Sequence, residues 1–428
     1  MQNPKLAQIL LATVAVLACA APAPALAQSA VTPTYVGMTP QDVGVMDRAK
    51  PEYDAKGVPL GGFRLFPSLD ASASYDTNVF RQPSNEVSDW FFTISPALRL
   101  DSQWGRHFLE FYAGADIYEY SKQTNENLAD WAAGGKFRLD ISHASTLAGW
   151  GYYSEKHEAW WAPSVVNYQS KPNRYYQGHG DLEWRYQPDR LGIEFGGSAD
   201  RFDWLNTPTI GSSTMIDNKD RNETEYQGYA KAFYDFSPGY SAFVRGMYDE
   251  RDYDEELDRA SLHRASHGFR VQGGLDLQVS HLVHGEIFAG YLKQAFKAPL
   301  NDVSGFDYGA KLDWYASPVF TIHLTGSREL QDVVLNNVSV ADNKTVALGA
   351  DYEFRPNVIL QAQGSYTDSR YIGSGLSDRY PGILVGIRYL ISRYVSADLN
   401  YNYSARSTDR TNVKYTDSLV SFGLNFHI

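Results

Sequence analysis

The most acidic stretch of the chain is residues 249–258, which reads Asp-Glu-Arg-Asp-Tyr-Asp-Glu-Glu-Leu-Asp. Carboxylate oxygens are the ligands that Ca²⁺ prefers in proteins. The run lacks the ligand spacing of an EF-hand loop and has no glycine at its bend. We therefore expect a solvated surface loop here rather than a calcium site.

A second pair of candidate metal ligands is His263 and His267, which are four residues apart. On a helix this spacing can bind zinc, but here it falls at the junction of a loop and a strand, without the carboxylate of an H-E-x-x-H motif. No metal site is predicted. The chain also lacks a nucleophile elbow, a phosphate loop and a dinucleotide fingerprint, so we predict no cofactor and no enzymatic activity. Carboxylates are plentiful, which leaves an outer-membrane hydrolase open as an alternative.

Aromatic side chains surround the long polar segment at residues 155–173. Trp160, Trp161 and Tyr175 are candidates for stacking against sugar rings, because an aromatic face buries the apolar C–H surface of a sugar. The competing interpretation is the aromatic girdle that membrane barrels carry at the lipid–water interface. On that interpretation the rings anchor the barrel and bind nothing.

The elements that would position these residues show period-two alternation of apolar and polar residues almost everywhere after residue 62. In residues 131–141, Trp131, Phe137 and Leu139 alternate with Lys136 and Arg138. A helix would scatter these residues around its circumference, whereas a strand sorts them onto two faces. The pattern predicts strands that have one apolar face and one wet face.

The breaks between the predicted strands alternate strictly between short turns and long polar loops. This is the plan of a transmembrane antiparallel up-and-down β-barrel, which has short periplasmic turns and long extracellular loops. Counting strands between breaks gives about 18, with 16–18 plausible. The long breaks fall at about residues 77–88, 121–128, 155–173, 203–222, 249–264, 294–304, 330–343, 368–378 and 405–412.

The polar face of these strands carries charges of both signs, which we predict to face the lumen. The candidates are Glu110, Asp116, Lys136, Arg138, Asp140, Glu183, Arg185, Lys231, Arg245, Arg270, Asp276, Lys311, Asp313 and Arg388. One interpretation is a mixed-charge wall that selects solutes. The other is that charges must face water and pair across strands, because an ionised group on the lipid face costs roughly 2–4 kcal/mol at mid-depth. As a set they predict a wet interior.

The last residues of the chain alternate to the very end. Phe422, Leu424, Phe426 and Ile428 lie on one face, which is typical of the C-terminal strand that the barrel-assembly machinery recognises. A terminal strand is also expected physically, because a barrel must pair its last strand with its first or leave two edges in lipid.

The first 27 residues resemble a cleaved secretory signal. Lys5 supplies a positive charge, an apolar core follows, and Ala25-Leu26-Ala27 forms an A-x-A cleavage site. Cleavage would remove Cys19, the one cysteine of the sequence. Residues 28–61 are rich in proline and alternate little, so we predict a periplasmic N-terminal arm or partial plug before a barrel at 62–428.

The net charge and the composition restrict the kinds of partner that we expect for this chain. The net charge is −12, which argues against nucleic acid as a partner. Aromatic residues make up 14% of the chain, and no stretch after the signal reaches the roughly 18 apolar residues of a spanning helix. This composition suits strands that contact outer-membrane lipid on one face, so we expect an integral protein of the bacterial outer membrane.

Two stretches carry a family resemblance. They are residues 50–57, Lys-Pro-Glu-Tyr-Asp-Ala-Lys-Gly, followed by Leu-Gly-Gly-Phe at 60–63, and residues 75–80, Tyr-Asp-Thr-Asn-Val-Phe. With the strand between them they resemble the outer-membrane β-barrel, porin-like family that is associated with exopolysaccharide and capsule biosynthesis loci. The resemblance implies a barrel that exports a surface polysaccharide and works with a periplasmic or outer-membrane polysaccharide export lipoprotein.

From these observations we predict a passive conduit for the export of a surface exopolysaccharide. Weak, multiple contacts along the lumen would let the polymer slide, since tight binding would stop transport. The first alternative is a general diffusion or substrate-uptake porin, which should carry a constriction loop folded into the barrel. The 155–173 and 203–222 loops are long enough for that role. A structural or adhesive barrel with a closed lumen is a further alternative.

Overall fold

The computed structural model describes residues 43–165, 169–279, 282–410 and 413–428. The predicted signal at 1–27, with Cys19, and residues 28–42 of the predicted arm lie outside these ranges. The described part of the chain is built almost wholly of strands, with two single-turn 3₁₀ helices at Thr124–Glu126 and Lys219–Arg221. None of its helices has the length and apolar character that crossing a membrane requires.

Eighteen long strands form one sheet in which each strand pairs antiparallel with the next along the chain. They are β1 Phe63–Asp76, β2 Asp89–Ser102, β3 Phe108–Tyr120, β4 Leu128–Asp140, β5 Ser145–His157, β6 Arg174–Tyr186, β7 Leu191–Trp204, β8 Glu223–Ser237, β9 Tyr240–Tyr253, β10 Ser266–Val279, β11 Val283–Phe296, β12 Val303–Ser317, β13 Phe320–Gln331, β14 Ala341–Arg355, β15 Val358–Tyr371, β16 Leu376–Leu390, β17 Val395–Thr408 and β18 Tyr415–His427.

The sheet closes on itself because β18 also pairs with β1. The register runs from Ser68 opposite His427 to Asp76 opposite Leu419. A short strand at Val58–Leu60 folds back on the start of β1. The result is a closed barrel of 18 strands, which confirms the predicted fold class, and its first and last strands pair with each other instead of forming two open edges.

The period-two pattern sorts the side chains as the sequence predicts. On β2, Trp90, Phe92 and Ile94 are each about half exposed on the outer surface, whereas Asp89 and Ser95 are buried on the inner one. The same alternation runs around the barrel, so the outer surface is apolar and the lumen polar. An apolar exterior is what a bilayer requires of a strand that faces it.

Several strands extend further than the sequence suggests. Strand β9 runs to Tyr253, well into the acidic run, and the predicted 368–378 break shrinks to the four residues 372–375. Polar residues near these strand ends are paired inside the barrel. Gln294, for example, donates a hydrogen bond of 2.9 Å to Asp249. Their polarity therefore marks the wet face of a strand rather than a loop.

One seam of the barrel is incomplete. Strands β12 and β13 pair only from Gly309 opposite Ser327 down to the turn. Beyond Ser327 the guanidinium of Arg328 occupies the seam, donating to the carbonyl oxygen of Phe306 at 2.7 Å and to Asp342 at 2.8 Å. These side-chain contacts replace the missing ladder bonds.

Residues 43–57 lie across the end of the barrel that carries the short turns. Val45 is almost fully buried and its amide donates to the Thr321 hydroxyl at 3.0 Å. Arg48 and Lys50 both pair with Glu353, the lysine at 2.8 Å. The segment then reaches the seam at which β18 pairs with β1. There the amide of Gly57 donates to the carbonyl oxygen of Ile428.

Candidate functional site

The lumen face of the strands carries a network of paired charges. Lys231 on β8 contacts Asp276 at 2.9 Å and Glu286 at 3.2 Å, and Arg245 on β9 contacts Glu286 at 2.9 Å. Each side chain comes from a different strand. Such pairs keep both partners hydrated or neutralised and bind adjacent strands to one another.

The other predicted lumen residues lie on the same inner face, and most contact an opposite charge. The ion pairs are Lys136 with Glu110, Arg138 with Asp140, Arg185 with Glu194, Arg270 with Glu329, Asp313 with His323, and Arg388 with Asp398. Two of the predicted acids contact hydroxyl groups instead, Asp116 with Ser95 and Glu183 with Tyr229. Lys311 is exposed within the lumen.

Residues 158–165 and 169–173 are the described part of the loop between β5 and β6, and this part leaves the wall and crosses the mouth of the barrel. The ring of Trp161 lies 6.3 Å from the ring of Tyr380 on β16. Arg406 on β17 donates to the Trp161 carbonyl oxygen at 3.3 Å. Ser164 accepts a hydrogen bond of 3.1 Å from the amide of Val334, in the loop after β13. Several strands separate these partners from β5 and β6 by either route around the barrel.

The three predicted sugar-stacking residues each have their own aromatic partner. Trp160 packs edge-on against Phe80 at 5.5 Å, and its Nε1 donates to Glu126 at 2.7 Å. Tyr175 faces the lumen and packs on Trp204 at 4.5 Å. The structure therefore does not bring Trp160, Trp161 and Tyr175 together into one stacking platform.

The aromatic residues near this loop fall into two groups, and only one of the two fits the girdle interpretation. Tyr153 and Tyr176 stack on the outer surface with their ring centroids 5.8 Å apart, and Tyr153 is about half exposed. These two rings occupy the positions expected of a girdle. Trp160 and Trp161 lie instead in the loop that crosses the mouth and contact residues of other loops and of the lumen wall.

On the side of the mouth opposite β5 and β6, several side chains contact one carboxylate. Asp378 on β16 is fully buried and pairs with both Arg406 and Arg410 at 2.6 Å. The hydroxyl groups of Tyr371 and Tyr380 also donate to it, at 2.7 and 3.0 Å. Two guanidinium groups share one carboxylate, so this cluster carries an excess positive charge next to the crossing loop.

The loops enclose a cavity of about 470 Å³, which we call the mouth cavity. Six separate connections contribute to its lining, and the residues include Ser164, Asn173, Asn218, Arg221, Arg259, Arg264, Val334, Leu335, Ser374 and Arg410. Guanidinium, amide and hydroxyl groups predominate among the polar members. Such a lining offers many hydrogen-bond donors to a polar solute.

Each of the cavity arginines is fixed by an acidic partner. Arg221 pairs with Glu158 at 2.8 Å, and Arg259 pairs with Asp220 at 2.8 Å. Burial alone would raise the pKa of Asp220, but the hydrogen bonds and charge of Arg259 outweigh it and lower that pKa below its usual value. The Asp220 carboxylate therefore stays ionised and holds Arg259 in place.

Arg264 joins two loops through the backbone. It pairs with Asp258 at 2.7 Å and donates to the carbonyl oxygens of Val333 and Leu335. The loop at 332–340 is thus attached to the loop at 254–265. The acidic run that starts at Asp249 contributes Asp258 to this contact, so it is only partly the solvated loop that we expected.

The net pKa shift is in the opposite direction for Glu126, which lies in the connection between β3 and β4, because burial prevails there. It raises the pKa of this carboxyl group above its usual value, although the hydrogen bond from Trp160 opposes the shift. The contact between Trp160 and Glu126 is therefore sensitive to pH in a range where the Asp220 contact is not.

Neither His263 nor His267 belongs to the group of three potential metal ligands found among the described residues. The nearest acid to His263 is Glu256, at 3.9 Å. Within the described residues, one group brings three carboxylates close enough to share an ion: Glu223, Glu225 and Asp332. Sequence reasoning missed it because Asp332 comes from a loop far along the chain.

A closed antiparallel barrel with an apolar exterior and a charged lumen, crossed at one mouth by its own loops, defines an outer-membrane channel of the porin type. The family model described as "Putative beta-barrel porin 2" matches residues 50–428, and the chain belongs to that family. This confirms the resemblance seen in the sequence. The end with the long loops is accordingly the extracellular one.

Several solved structures are similar to the chain at low sequence identity. The outer-membrane protein OpdK of Pseudomonas aeruginosa, solved with vanillate, is 12% identical with a TM-score of 0.42 and covers 85% of this chain and 99% of its own. OccK2 (OpdF) of the same organism is 10% identical with a TM-score of 0.46 over 86% and 98%. OccAB4 of Acinetobacter baumannii is 10% identical with a TM-score of 0.45 over 89% and 100%. No curated protein sequence matches the chain.

Proposed function

We propose that the protein is a passive outer-membrane channel for the uptake of small polar solutes. The observation that carries this proposal is the loop at residues 158–173, which crosses the extracellular mouth and is held on the far wall by Arg406. A loop folded across the lumen narrows the path without plugging the whole barrel. It is the feature that we expected of a porin rather than of a polymer conduit.

The size of the mouth cavity supports the same proposal. Its volume of about 470 Å³ lies within the range of about 300–1,000 Å³ that small-molecule sites occupy. A polysaccharide would need the crossing loop to leave Tyr380, Arg406 and the amide of Val334 together. A monosaccharide, an amino acid or a small organic acid would need only local movement of side chains.

The lumen wall suits passage rather than storage. Most of its predicted charges are paired with an opposite charge, so a passing solute meets largely neutralised groups and exchanges weak contacts with them. Weak and repeated contacts are what conduction requires. The family is one of channels, and we propose no enzymatic activity for this member.

Export of a surface exopolysaccharide stays the second candidate. Its support is the resemblance of residues 50–63 and 75–80 to a family associated with exopolysaccharide loci. In that case residues 28–61 would face a periplasmic export lipoprotein, since residues 43–57 lie at the periplasmic mouth. The crossing loop would then act as a gate that the polymer displaces.

Two measurements separate the candidates. Reconstituted into liposomes, the protein should admit small sugars and amino acids and reject oligosaccharides of a few units. A clean deletion should leave surface polysaccharide unchanged. Loss of surface polymer with polymer retained in the periplasm would instead establish export and overturn the uptake proposal.

We also propose that the last strand carries the assembly signal. Phe422, Phe426 and Ile428 are each about half exposed on the outer surface of β18, and Leu424 alternates with them. A row of apolar residues that faces outward next to the closing seam is available to the barrel-assembly machinery before β1 and β18 pair.

A further inference from the structure

Three carboxylates meet near the extracellular end of the lumen. Glu223 and Glu225 lie two residues apart on β8, so both face inward, and Asp332 is the first residue after β13. One oxygen atom from each of the three lies within 4.8 Å of the other two. We call these residues the carboxylate cluster.

The charge of the cluster is only partly neutralised. Arg251 on β9 contacts Asp332 at 2.8 Å and Glu225 at 3.5 Å. The neighbouring Tyr253 hydroxyl hydrogen-bonds Glu223 but carries no charge. When all three carboxylates are ionised, as metal ligands must be, one guanidinium leaves an excess of two negative charges, which a divalent cation would balance.

Two oxygen atoms of the cluster are buried without a partner. Glu223 is 9% exposed, and its Oε2 atom accepts no hydrogen bond from any described residue. The Oδ2 atom of Asp332 is likewise buried and accepts no hydrogen bond from any described residue. Folded proteins rarely leave buried carboxylate oxygens unpaired, so these two atoms indicate a missing ligand.

We propose that Glu223, Glu225 and Asp332 bind a calcium ion that joins the 332–340 loop to the lumen wall. Ca²⁺ accepts carboxylate ligands in irregular geometry at about 2.3–2.6 Å, so two ligands on opposite sides of the ion stand roughly 5 Å apart. The spacing of the cluster fits that limit. Mg²⁺ demands a near-ideal octahedron, which carboxylates from a strand and a loop do not readily provide.

Arg251 does not compete with the ion for the free oxygen of Asp332. Its Nη1 contacts the Oδ1 atom, and the unpartnered atom is Oδ2. The guanidinium also donates to the carbonyl oxygen of Leu330 at 3.2 Å, which holds it beside the end of β13. Arginine and calcium would therefore neutralise different sides of the same carboxylate.

The ion would act on the loop that lines the mouth cavity. Residues 332–340 contribute Val334 and Leu335 to the cavity, and the amide of Val334 is bonded to Ser164 of the crossing loop. Calcium bound at Asp332 would fix the base of this loop. The binding itself does not depend on which solute crosses the channel.

The test uses the full chain, purified in detergent and stripped with EDTA, and titrates it with CaCl₂ and with Tb³⁺, whose luminescence nearby Tyr253 would sensitise. Wild type should show one saturable Ca²⁺ site that displaces Tb³⁺. Glu223→Gln and Asp332→Asn should each weaken Ca²⁺ binding at least tenfold. Glu256→Gln, which removes a highly exposed acid of the 249–258 run, should bind as wild type does.

A second measurement guards against misfolding. Heat-modifiable gel migration reports a closed barrel, and Asp332→Asn alters a loop residue outside the ladder, so that variant decides the test if Glu223→Gln does not fold. Calcium should raise the unfolding temperature of wild type but not of Asp332→Asn. Absence of a saturable site in wild type, or equal calcium binding by wild type and the folded Asp332→Asn variant, would overturn the proposal.

Discussion

Arg406 donates a hydrogen bond of 3.3 Å to the main-chain carbonyl oxygen of Trp161, which lies 245 residues earlier in the chain. The same guanidinium pairs at 2.6 Å with Asp378, which is fully buried. The crossing loop is thus attached to the far wall through an arginine whose own position is fixed by a carboxylate. Removing that carboxylate should affect the loop and the wall together.

We predict that Asp378→Asn destabilises the extracellular mouth. The change leaves Arg406 and Arg410 without a charged partner, and breaking a buried ion pair costs about 3–5 kcal/mol. The free energy of unfolding, measured by urea titration, should fall by about 3 kcal/mol, and single-channel conductance should rise. Asp409→Asn is the matched control, since Asp409 is exposed and accepts a hydrogen bond from the Ser377 hydroxyl. Equal stability of the two variants would refute the role of Asp378.

The crossing loop can be locked by a disulfide. The Ser164 hydroxyl accepts a hydrogen bond from the Val334 amide at 3.1 Å, so the two residues are close enough for paired cysteines. Cys19, the one native cysteine, lies in the predicted signal. Oxidation of Ser164→Cys with Val334→Cys should lower the open probability severalfold and suppress brief openings, and reduction should restore both.

Each single cysteine variant serves as the control for the disulfide experiment. Neither should respond to oxidant or reductant. A formed disulfide, verified by mass spectrometry, that leaves conductance and gating unchanged would show that this loop does not move during conduction.

Acidification should stabilise the buried position of Glu126 in the closed loop, although it weakens the hydrogen bond that Trp160 donates to this group. Burial raises the pKa of Glu126, so the neutral carboxyl group is favoured in the closed loop. When folding raises the pKa of a carboxyl group, that group destabilises the fold once the pH exceeds its usual pKa. The destabilisation decreases when the pH is lowered again. His157 and Lys171 are the other charged or titratable groups that act on it. Conductance should therefore fall as the pH is lowered from neutral.

The matched variants for this titration are Glu126→Gln and Glu86→Gln. Glu126→Gln is neutral throughout and should show the low-pH conductance at every pH. Glu86 is exposed in the neighbouring loop, so Glu86→Gln should titrate as wild type does. A pH response that survives in Glu126→Gln would assign it to another group.

Release of the N-terminal segment should follow Glu353→Gln. Arg48 and Lys50 both contact this carboxylate, which is largely buried. Without it, trypsin added at the periplasmic side should cleave after Arg48 at least several times faster, whereas Pro51 protects the bond after Lys50. Glu52→Gln changes an exposed acid of the same segment and should leave cleavage unchanged. Resistance of Glu353→Gln would show that Val45 and the backbone hold the segment without the ion pairs.

The barrel could be predicted from sequence because its signal is local. Trp131, Phe137 and Leu139 alternate with Lys136 and Arg138 within a few residues, and one lipid face and one wet face explain the pattern fully. Strand ends were harder to place. The acidic residues of 249–253 suggest a loop in the sequence. In the structure they form the end of a strand whose inner face is hydrated.

The mouth could not be predicted in the same way, because its contacts are distant in sequence and lack periodicity. Nothing near Trp161 indicates that it meets Tyr380, and nothing near Arg264 indicates that it bonds carbonyl groups of the 332–340 loop. Asp378 lies between Ser377 and Arg379, and Arg406 is followed by Ser407 and Thr408, so apolar alternation does not single out either residue. Their joint role as an attachment for the crossing loop appears only in three dimensions.

The lining of the mouth cavity has a consequence for how this protein can diversify. Six connections supply between one and several residues each, and none of those connections belongs to the ladder that holds the barrel closed. Insertions and substitutions in any one connection can therefore alter the entrance while the wall in the bilayer stays the same. Relatives with nearly identical barrels can be expected to accept different solutes, so substrate range should be compared loop by loop rather than by overall sequence identity.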